Sequence, residues 1–101
     1  MRIYISGKIT GLKIEDAHSS FFEAEEQLKY VFPNATIVNP VRETSHLSPT
    51  LHTWEMYMAI CMEKLLYCTH IHMINESWID SRGAKVEKAI ADSLNLETVE
   101  I

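Results

Sequence analysis

Apolar residues in this chain occur alternately in short β-branched runs and in longer segments with helical spacing. The run RIYIS begins at residue 2 and ends before Gly7, which is typical of a strand followed by a turn. From Ile14 to about Val31, apolar side chains recur every three or four residues and predict a helix. The pattern therefore predicts that the chain opens with a strand and a helix.

A second strand and a long polar stretch follow this helix. Pro33 and Asn34 end the helix, ATIVN is typical of a short strand, and Pro40 closes that strand. The stretch from Pro40 to Thr53 is polar and has no pattern of its own, so it reads as a long loop. Loops of this length often act as lids or as subunit contacts.

Two further helices and two further strands complete the pattern. Thr53 is a suitable N-cap for a helix whose apolar stripe is Trp54, Tyr57, Met58, Cys61 and Leu65. The segment THIHMIN then predicts a third strand, and the loop ESWIDSRG leads into a last helix. The C-terminal ETVEI predicts a fourth strand.

Strands that alternate with helices imply a parallel sheet with right-handed crossovers. We therefore predict a small, doubly wound, three-layer α/β fold of the flavodoxin-like or Rossmann-like kind, with about four parallel strands in the order 2-1-3-4. The chain has 101 residues and is 47% hydrophobic, which is enough for one modest core. We expect a single domain over residues 1–101.

Composition excludes several classes of partner. The formal net charge is −5 and Lys and Arg do not cluster, so we expect no binding to long nucleic acids. No apolar run approaches the roughly 20 residues that cross a bilayer, and the N-terminus lacks the apolar core of a signal peptide. Cys61 and Cys68 are too far apart along a helix for a disulfide. These features favour a cytoplasmic protein without membrane association.

The last predicted helix, within DSRGAKVEKAIADSL, carries a carboxylate in an unusual place. On a helical wheel of about 100° per residue, one side of this helix collects Gly83, Val86, Ile90, Ala91 and Leu94. Glu87 lies in the middle of that side. Burying a carboxylate costs several kcal/mol unless it is paired, hydrogen-bonded or neutralised. Glu87 is therefore a candidate functional residue; the alternative is a side chain that reaches solvent or pairs with Lys or Arg.

The predicted fold gives Glu87 a location. Ligands of open α/β sheets bind beyond the carboxyl ends of the strands where strand order reverses, here between the first and third strands. The loops SGKITGLK and ESWIDSRG meet at that point. We predict that these loops contact a ligand through Ser6, Gly7, Lys8, Ile9, Gly11, Trp78, Ser81, Arg82 and Gly83.

Each of these loops also has a simpler explanation. Backbone N–H groups near Ser81 open a helix and suit an anionic group such as phosphate, although every helix begins with free N–H groups. The first loop could merely connect a strand to a helix, and Trp78 could stack on a nucleobase or cap the core. We find no spacing typical of a metal site, and we predict neither a metal nor a cofactor.

Three stretches together resemble a known superfamily. YISGKITG near the start, SRGAKVEKAIA near the end, and Trp78 three residues before Ser81 are similar to the nucleoside 2-deoxyribosyltransferase-like superfamily. The likeness is greatest to a branch of small, mostly phage and bacterial, domains of unknown function, and it covers nearly the whole chain.

The resemblance implies chemistry at the N-glycosidic bond of a small nucleoside or nucleotide. Glu87 matches the superfamily's nucleophile, Tyr4 matches the tyrosine that orients it, and Ser81 matches the residue that holds the sugar or phosphate. Attack of the carboxylate at C1′ would form a glycosyl-enzyme ester, which water or a second base would then resolve. The resemblance, the small size and the exposed sheet edges also favour a homodimer or a larger homo-oligomer.

Two positions depart from the superfamily pattern. Cys61 and Thr69 stand where the characterised relatives carry Asp, and the first of those Asp residues protonates the leaving base. One interpretation is that another acid does so, the candidates being Glu55, Glu63, Glu76 and Asp80. The other is that the protein is a nucleotide-binding sensor or sequestering module without catalytic activity.

Overall fold

The computed structural model describes residues 1–9, 13–48, 50–75 and 77–101. The elements are β1 (Arg2–Ser6), α1 (Ile14–Val31), β2 (Thr36–Val38), α2 (Pro40–Glu43), α3 (Trp54–Leu66), β3 (His70–Met73), a 3-10 helix (Ser77–Asp80), α4 (Arg82–Ser93) and β4 (Glu97–Thr98). Strands and helices alternate in the predicted order. None of the helices within these ranges is long and apolar enough to cross a membrane.

The four strands form one parallel sheet in the order β2-β1-β3-β4. β1 is central: Tyr4 pairs with Val38 on one side and with Ile71 on the other. The predicted fold class and strand order are therefore confirmed. The order reverses between β1 and β3, so the carboxyl ends of these two strands flank the expected ligand crevice.

Alternation along β1 sends its side chains into two separate cores. Ile3 and Ile5 pack with Phe21 and Leu28 of α1 on one face of the sheet. On the other face, Tyr4 belongs to a cluster with Cys61, Leu65, Ile71 and Ala91, which brings α3 and α4 over the sheet. The result is a three-layer arrangement with α1 opposite α3 and α4.

Side-chain caps fix where three helices begin. Thr53 accepts from the Met56 N–H at 3.3 Å, as the sequence predicts. Asn39 accepts from the Val41 N–H at 3.0 Å and Ser81 caps α4. Each such cap contributes about 1 kcal/mol by satisfying a free N–H group.

Three local features differ from the sequence prediction. The stretch predicted as a loop from Pro40 contains α2, because Asn39 caps it and proline is favourable in the first helical turn. The loop before α4 contains a 3-10 helix, and β4 is limited to Glu97–Thr98. These elements span two to four residues, which is too short to produce a periodic pattern.

A buried ion pair fixes α2 against α1. Glu25 is only 4% exposed and accepts from Lys29 at 3.0 Å and from Nη2 of Arg42 at 2.9 Å. Burial alone would raise the pKa of Glu25, but hydrogen bonds from Arg42 and Lys29 outweigh it and lower that pKa. The Arg42 guanidinium also lies 4.6 Å from the centre of the Phe22 ring.

We predict that Arg42→Ala lowers the free energy of unfolding by about 1–3 kcal/mol, because it removes a charged donor from a buried carboxylate. Lys64→Ala is the control, since Lys64 and Glu43 form a longer pair of 3.8 Å with both side chains partly exposed. That variant should change stability by less than about 1 kcal/mol. Urea denaturation followed by circular dichroism measures both. Equal losses of unfolding free energy in the two variants would contradict a stabilising bond between Arg42 and the buried Glu25.

Candidate active site

The candidate site is built around the buried face of α4. The buried residues of this helix are Ala84, Glu87 and Ala91, and Glu87 is only 6% exposed. The predicted inward position of Glu87 is therefore confirmed. The predicted apolar stripe is partly wrong, because Val86 and Leu94 are 38% and 46% exposed.

The reason for this difference is geometric. The sheet contacts only a narrow stripe of α4, on which small alanines allow close approach. Val86 precedes Glu87 by one residue and so lies about 100° around the helix from it. Leu94 is the C-cap residue, at the very end of the helix. Neither position reaches the sheet.

Two hydroxyl groups of β1 hold the Glu87 carboxylate. The Tyr4 hydroxyl donates to Oε2, and the Ser6 hydroxyl donates to Oε1 at 2.7 Å. Tyr4 and Ser6 are two residues apart on one strand, so their side chains leave the same face of the sheet. Both residues are fully buried. Each carboxylate oxygen therefore has a donor, which offsets part of the cost of burial.

Burial controls the protonation of this group. Burial raises the pKa of Glu87 to about 7, although the hydrogen bonds from Tyr4 and Ser6 act in the opposite direction. Burial also raises the pKa of Tyr4 well above its usual value, and the nearby Glu87 charge adds to that rise. Tyr4 is therefore a hydrogen-bond donor throughout the neutral range, while Glu87 is divided between its charged and neutral forms.

Cys61 of α3 lies beside this pair. It is 7% exposed, and burial raises its pKa to about 11. The neighbouring Tyr4 hydroxyl lowers the pKa of the thiol, while the negative charge of Glu87 raises it. The residue that the superfamily resemblance aligns with an acidic Asp is thus a neutral thiol next to the carboxylate.

The predicted contacts in the second loop have structural roles at the start of α4. The Ser81 hydroxyl accepts from the Ala84 N–H at 3.2 Å, and the Arg82 guanidinium stacks on the Trp54 ring at 3.6 Å. A Cβ added at Gly83 would lie 3.2 Å from the Met58 sulfur. The Arg82 and Gly83 contacts hold α4 against α3, and the predicted ligand contacts of Ser81, Arg82 and Gly83 stay predictions.

The first loop leaves β1 directly after Ser6, whose hydroxyl bonds to Glu87. A Cβ added at Gly7 would lie 3.1 Å from the Ile74 Cβ, so glycine permits close approach of the ends of β1 and β3. Lys8 is half-buried and Ile9 is 42% exposed. Gly11 lies outside the described residues.

Trp78 is half-buried in the 3-10 helix. It lines a cavity of about 660 Å³ together with Ile74 and Lys88, and Glu87 is not among the lining residues. We call this space the α1-side cavity, because four residues of α1 form one of its walls. The proposed stacking of Trp78 on a base stays a prediction.

The carboxylates considered as alternative acids are placed less favourably than Cys61. Glu55, Glu63 and Asp80 are all exposed, and Glu76 lies outside the described residues. Sequence reasoning placed Ser6 in the ligand-binding loop but missed its hydrogen bond to Glu87. The available signal was the spacing of Tyr4 and Ser6 on one strand face.

We predict that the unfolding free energy falls as pH rises from about 4.5 to about 7. The folded-state pKa of Glu87, about 7, lies above the ordinary value of 4.5, so the folded protein retains a proton that the unfolded chain has lost. Each pKa unit corresponds to about 1.4 kcal/mol, which gives a total loss of about 3 kcal/mol.

Glu87→Gln should lack this loss, because its side chain stays neutral. Its stability relative to the wild type should therefore rise from pH 4.5 upwards and level off above about pH 7. Glu63→Gln, at an exposed position of α3, is the matched control and should follow the wild type. Denaturant unfolding at a series of pH values gives the curves. If the difference in unfolding free energy between the wild type and Glu87→Gln does not change with pH, the raised pKa of Glu87 is contradicted.

Comparison of the chain with curated proteins and with solved structures gave no match. A family model described as a domain of unknown function, DUF4406, matches residues 1–100. The match covers nearly the whole chain, including β1, α4 and the hydroxyl and carboxyl groups that meet between them. The chain therefore belongs to the DUF4406 family.

Proposed function

We propose that this protein cleaves or exchanges the N-glycosidic bond of a small nucleoside or nucleotide, as a hydrolase or a 2-deoxyribosyltransferase-like enzyme. The observation that carries the proposal is the buried Glu87 carboxylate, held by Tyr4 and Ser6. Neither a metal nor a cofactor is part of the proposal. The homo-oligomer and the cytoplasmic location stay predictions from the sequence.

The position of the carboxylate supports this proposal. Tyr4 and Ser6 belong to β1, whose carboxyl end lies at the reversal of strand order next to β3. Open α/β sheets bind their ligands at this place. The proposal therefore has the sugar bind at this edge of the sheet, next to the carboxylate that the two hydroxyl groups hold.

The proposed chemistry uses Glu87 as a nucleophile. An oxygen of its carboxylate attacks C1′, the bond between C1′ and the base nitrogen breaks, and the departing base takes the bond's electron pair. Tyr4 and Ser6 restrict the rotation of the carboxylate, so less entropy is lost on reaching the transition state. Water or the nitrogen of a second base then attacks C1′ and releases Glu87.

The departing base needs a proton, and Cys61 occupies the position from which the superfamily resemblance would deliver it. A Cys61 thiol with a pKa of about 11 is a poor acid at neutral pH. This observation favours the second candidate function, a nucleotide-binding sensor or sequestering module that binds without turnover. The enzyme would not need an acidic side chain if the base is a good leaving group or if a water molecule supplies the proton.

We expect free base to be released from deoxynucleosides or their 5′-monophosphates, as measured by chromatography. Glu87→Gln should lower the rate by roughly a thousandfold or more, because the amide cannot form the ester. Glu63→Gln, which changes an exposed carboxylate, should retain the wild-type rate.

Calorimetry separates the two candidate functions. Nucleotide binding without release of base, followed by new activity in Cys61→Asp, would favour the binding module and would reject the enzyme. If the protein neither binds nor cleaves deoxynucleosides or their 5′-monophosphates, both functions are rejected.

The dependence of kcat/KM on pH should rise through about pH 7, where Glu87 ionises. Tyr4→Phe removes a hydrogen bond that lowers the pKa of Glu87, so the rise should move to higher pH. Tyr30→Phe is the control, because Tyr30 is 89% exposed on α1. A profile that is unchanged in Tyr4→Phe would show that Glu87 does not control the rate.

A further inference from the structure

The α1-side cavity lies at the carboxyl ends of β3 and β4, where residues of α1 form one wall and Lys88 of α4 also contributes to the lining. α1 packs on β1 and β2, and the cavity opens between α1 and the carboxyl ends of β3 and β4. Its volume of about 660 Å³ lies within the range of small-molecule sites, about 300–1,000 Å³. The cavity is therefore large enough for a ligand of two fused rings with a short side chain.

His72 gives this cavity a defined polar group. It follows Ile71 on β3, so its ring leaves the face of the sheet opposite to Ile71. Nδ1 lies 2.8 Å from the backbone oxygen of Val99. A carbonyl oxygen only accepts, so Nδ1 carries a proton, and in the neutral form of the ring Nε2 is a hydrogen-bond acceptor. The ring is 91% buried and lines the cavity.

The charges around the cavity are mainly negative. Glu23 of α1 and Glu100 near the C-terminus are exposed lining residues. Lys88 also lines the cavity, but its Nζ lies 2.5 Å from a carboxylate oxygen of Asp92, which offsets its charge. An anionic ligand would therefore be repelled, and a cationic one attracted.

The remaining wall favours a flat apolar ring. Ala24, Ile74 and Val99 supply aliphatic surface, and Trp78 supplies an aromatic face. Aromatic rings pack favourably against such surfaces and against one another. A ring that carries an N–H group could also donate to the acceptor nitrogen of His72.

We propose that the α1-side cavity is a binding site for an aromatic amine: a planar ring with an N–H donor for His72 and a cationic side chain for Glu23 and Glu100. Glu87 is not among the cavity's lining residues, although its neighbour Lys88 and the predicted ligand contact Trp78 are. It does not depend on the function proposed for Glu87.

Tryptamine and indole-3-acetate form a matched pair of probes, because both carry an indole N–H and they differ in the charge of the side chain. Each is titrated into the full chain, labelled with ¹⁵N, and the ring nitrogens of His72 are followed by NMR. Tryptamine should bind saturably and shift the Nε2 resonance, while indole-3-acetate should bind more weakly.

Variants at the rim test the charge requirement without disturbing the buried His72. Glu23→Gln combined with Glu100→Gln should raise the Kd for tryptamine by about fivefold, as expected for two exposed charge contacts. Glu26→Gln, exposed on α1 and not a lining residue, should leave the Kd unchanged. His72→Phe keeps a ring and should weaken binding by removing the acceptor.

Several results would overturn the proposal. These are the absence of a saturable shift at millimolar tryptamine, equal binding of the two probes, and an unchanged Kd in the rim variant. The His72 signals could instead broaden as the protein concentration rises, without any added probe. That result would assign the cavity to a second copy of the chain and would also reject the small-molecule site.

Discussion

The structure depends on one interaction: the Glu87 carboxylate receives hydrogen bonds from Tyr4 and Ser6 inside the protein. A carboxylate in this position would be costly without donors. Its donors come from β1, and the carboxylate itself comes from α4, which is more than eighty positions away in the chain. The contact therefore exists only when the sheet and the α4 layer have both formed.

The parallel topology explains why this contact lies at a place suited to a ligand. β1 lies between β2 and β3, and the strand order reverses between β1 and β3, the place where open α/β sheets generally bind ligands. α4 begins after β3, so its first turns lie near the same edge. The hydrogen bonds only partly offset the desolvation of Glu87, which keeps its pKa raised to about 7. Ionisation of the buried carboxyl group therefore costs stability, and perturbed pKa values of this kind are common at functional sites.

Elements with a repeated pattern could be predicted from the sequence, and elements without one could not. β1, α1, α3 and α4 follow from apolar spacing, and the sheet order follows from the alternation of strands and helices. Glu87 was recognised because a helical wheel places it among apolar residues. The wheel could not show that Val86 and Leu94 face away from the sheet, since burial depends on which side of α4 packs against the sheet. The Glu25 and Arg42 pair depends on the position of α2, which is too short to leave a pattern.

Glu87 is an inward carboxyl group whose pKa burial has raised. The most direct test is a ¹³C NMR titration of the glutamate side-chain carboxyl carbons, with Glu87→Gln used to assign the resonance. The account predicts that the Glu87 resonance titrates at about pH 7. A titration near the ordinary value of 4.5 would show a solvated carboxylate and would contradict the account.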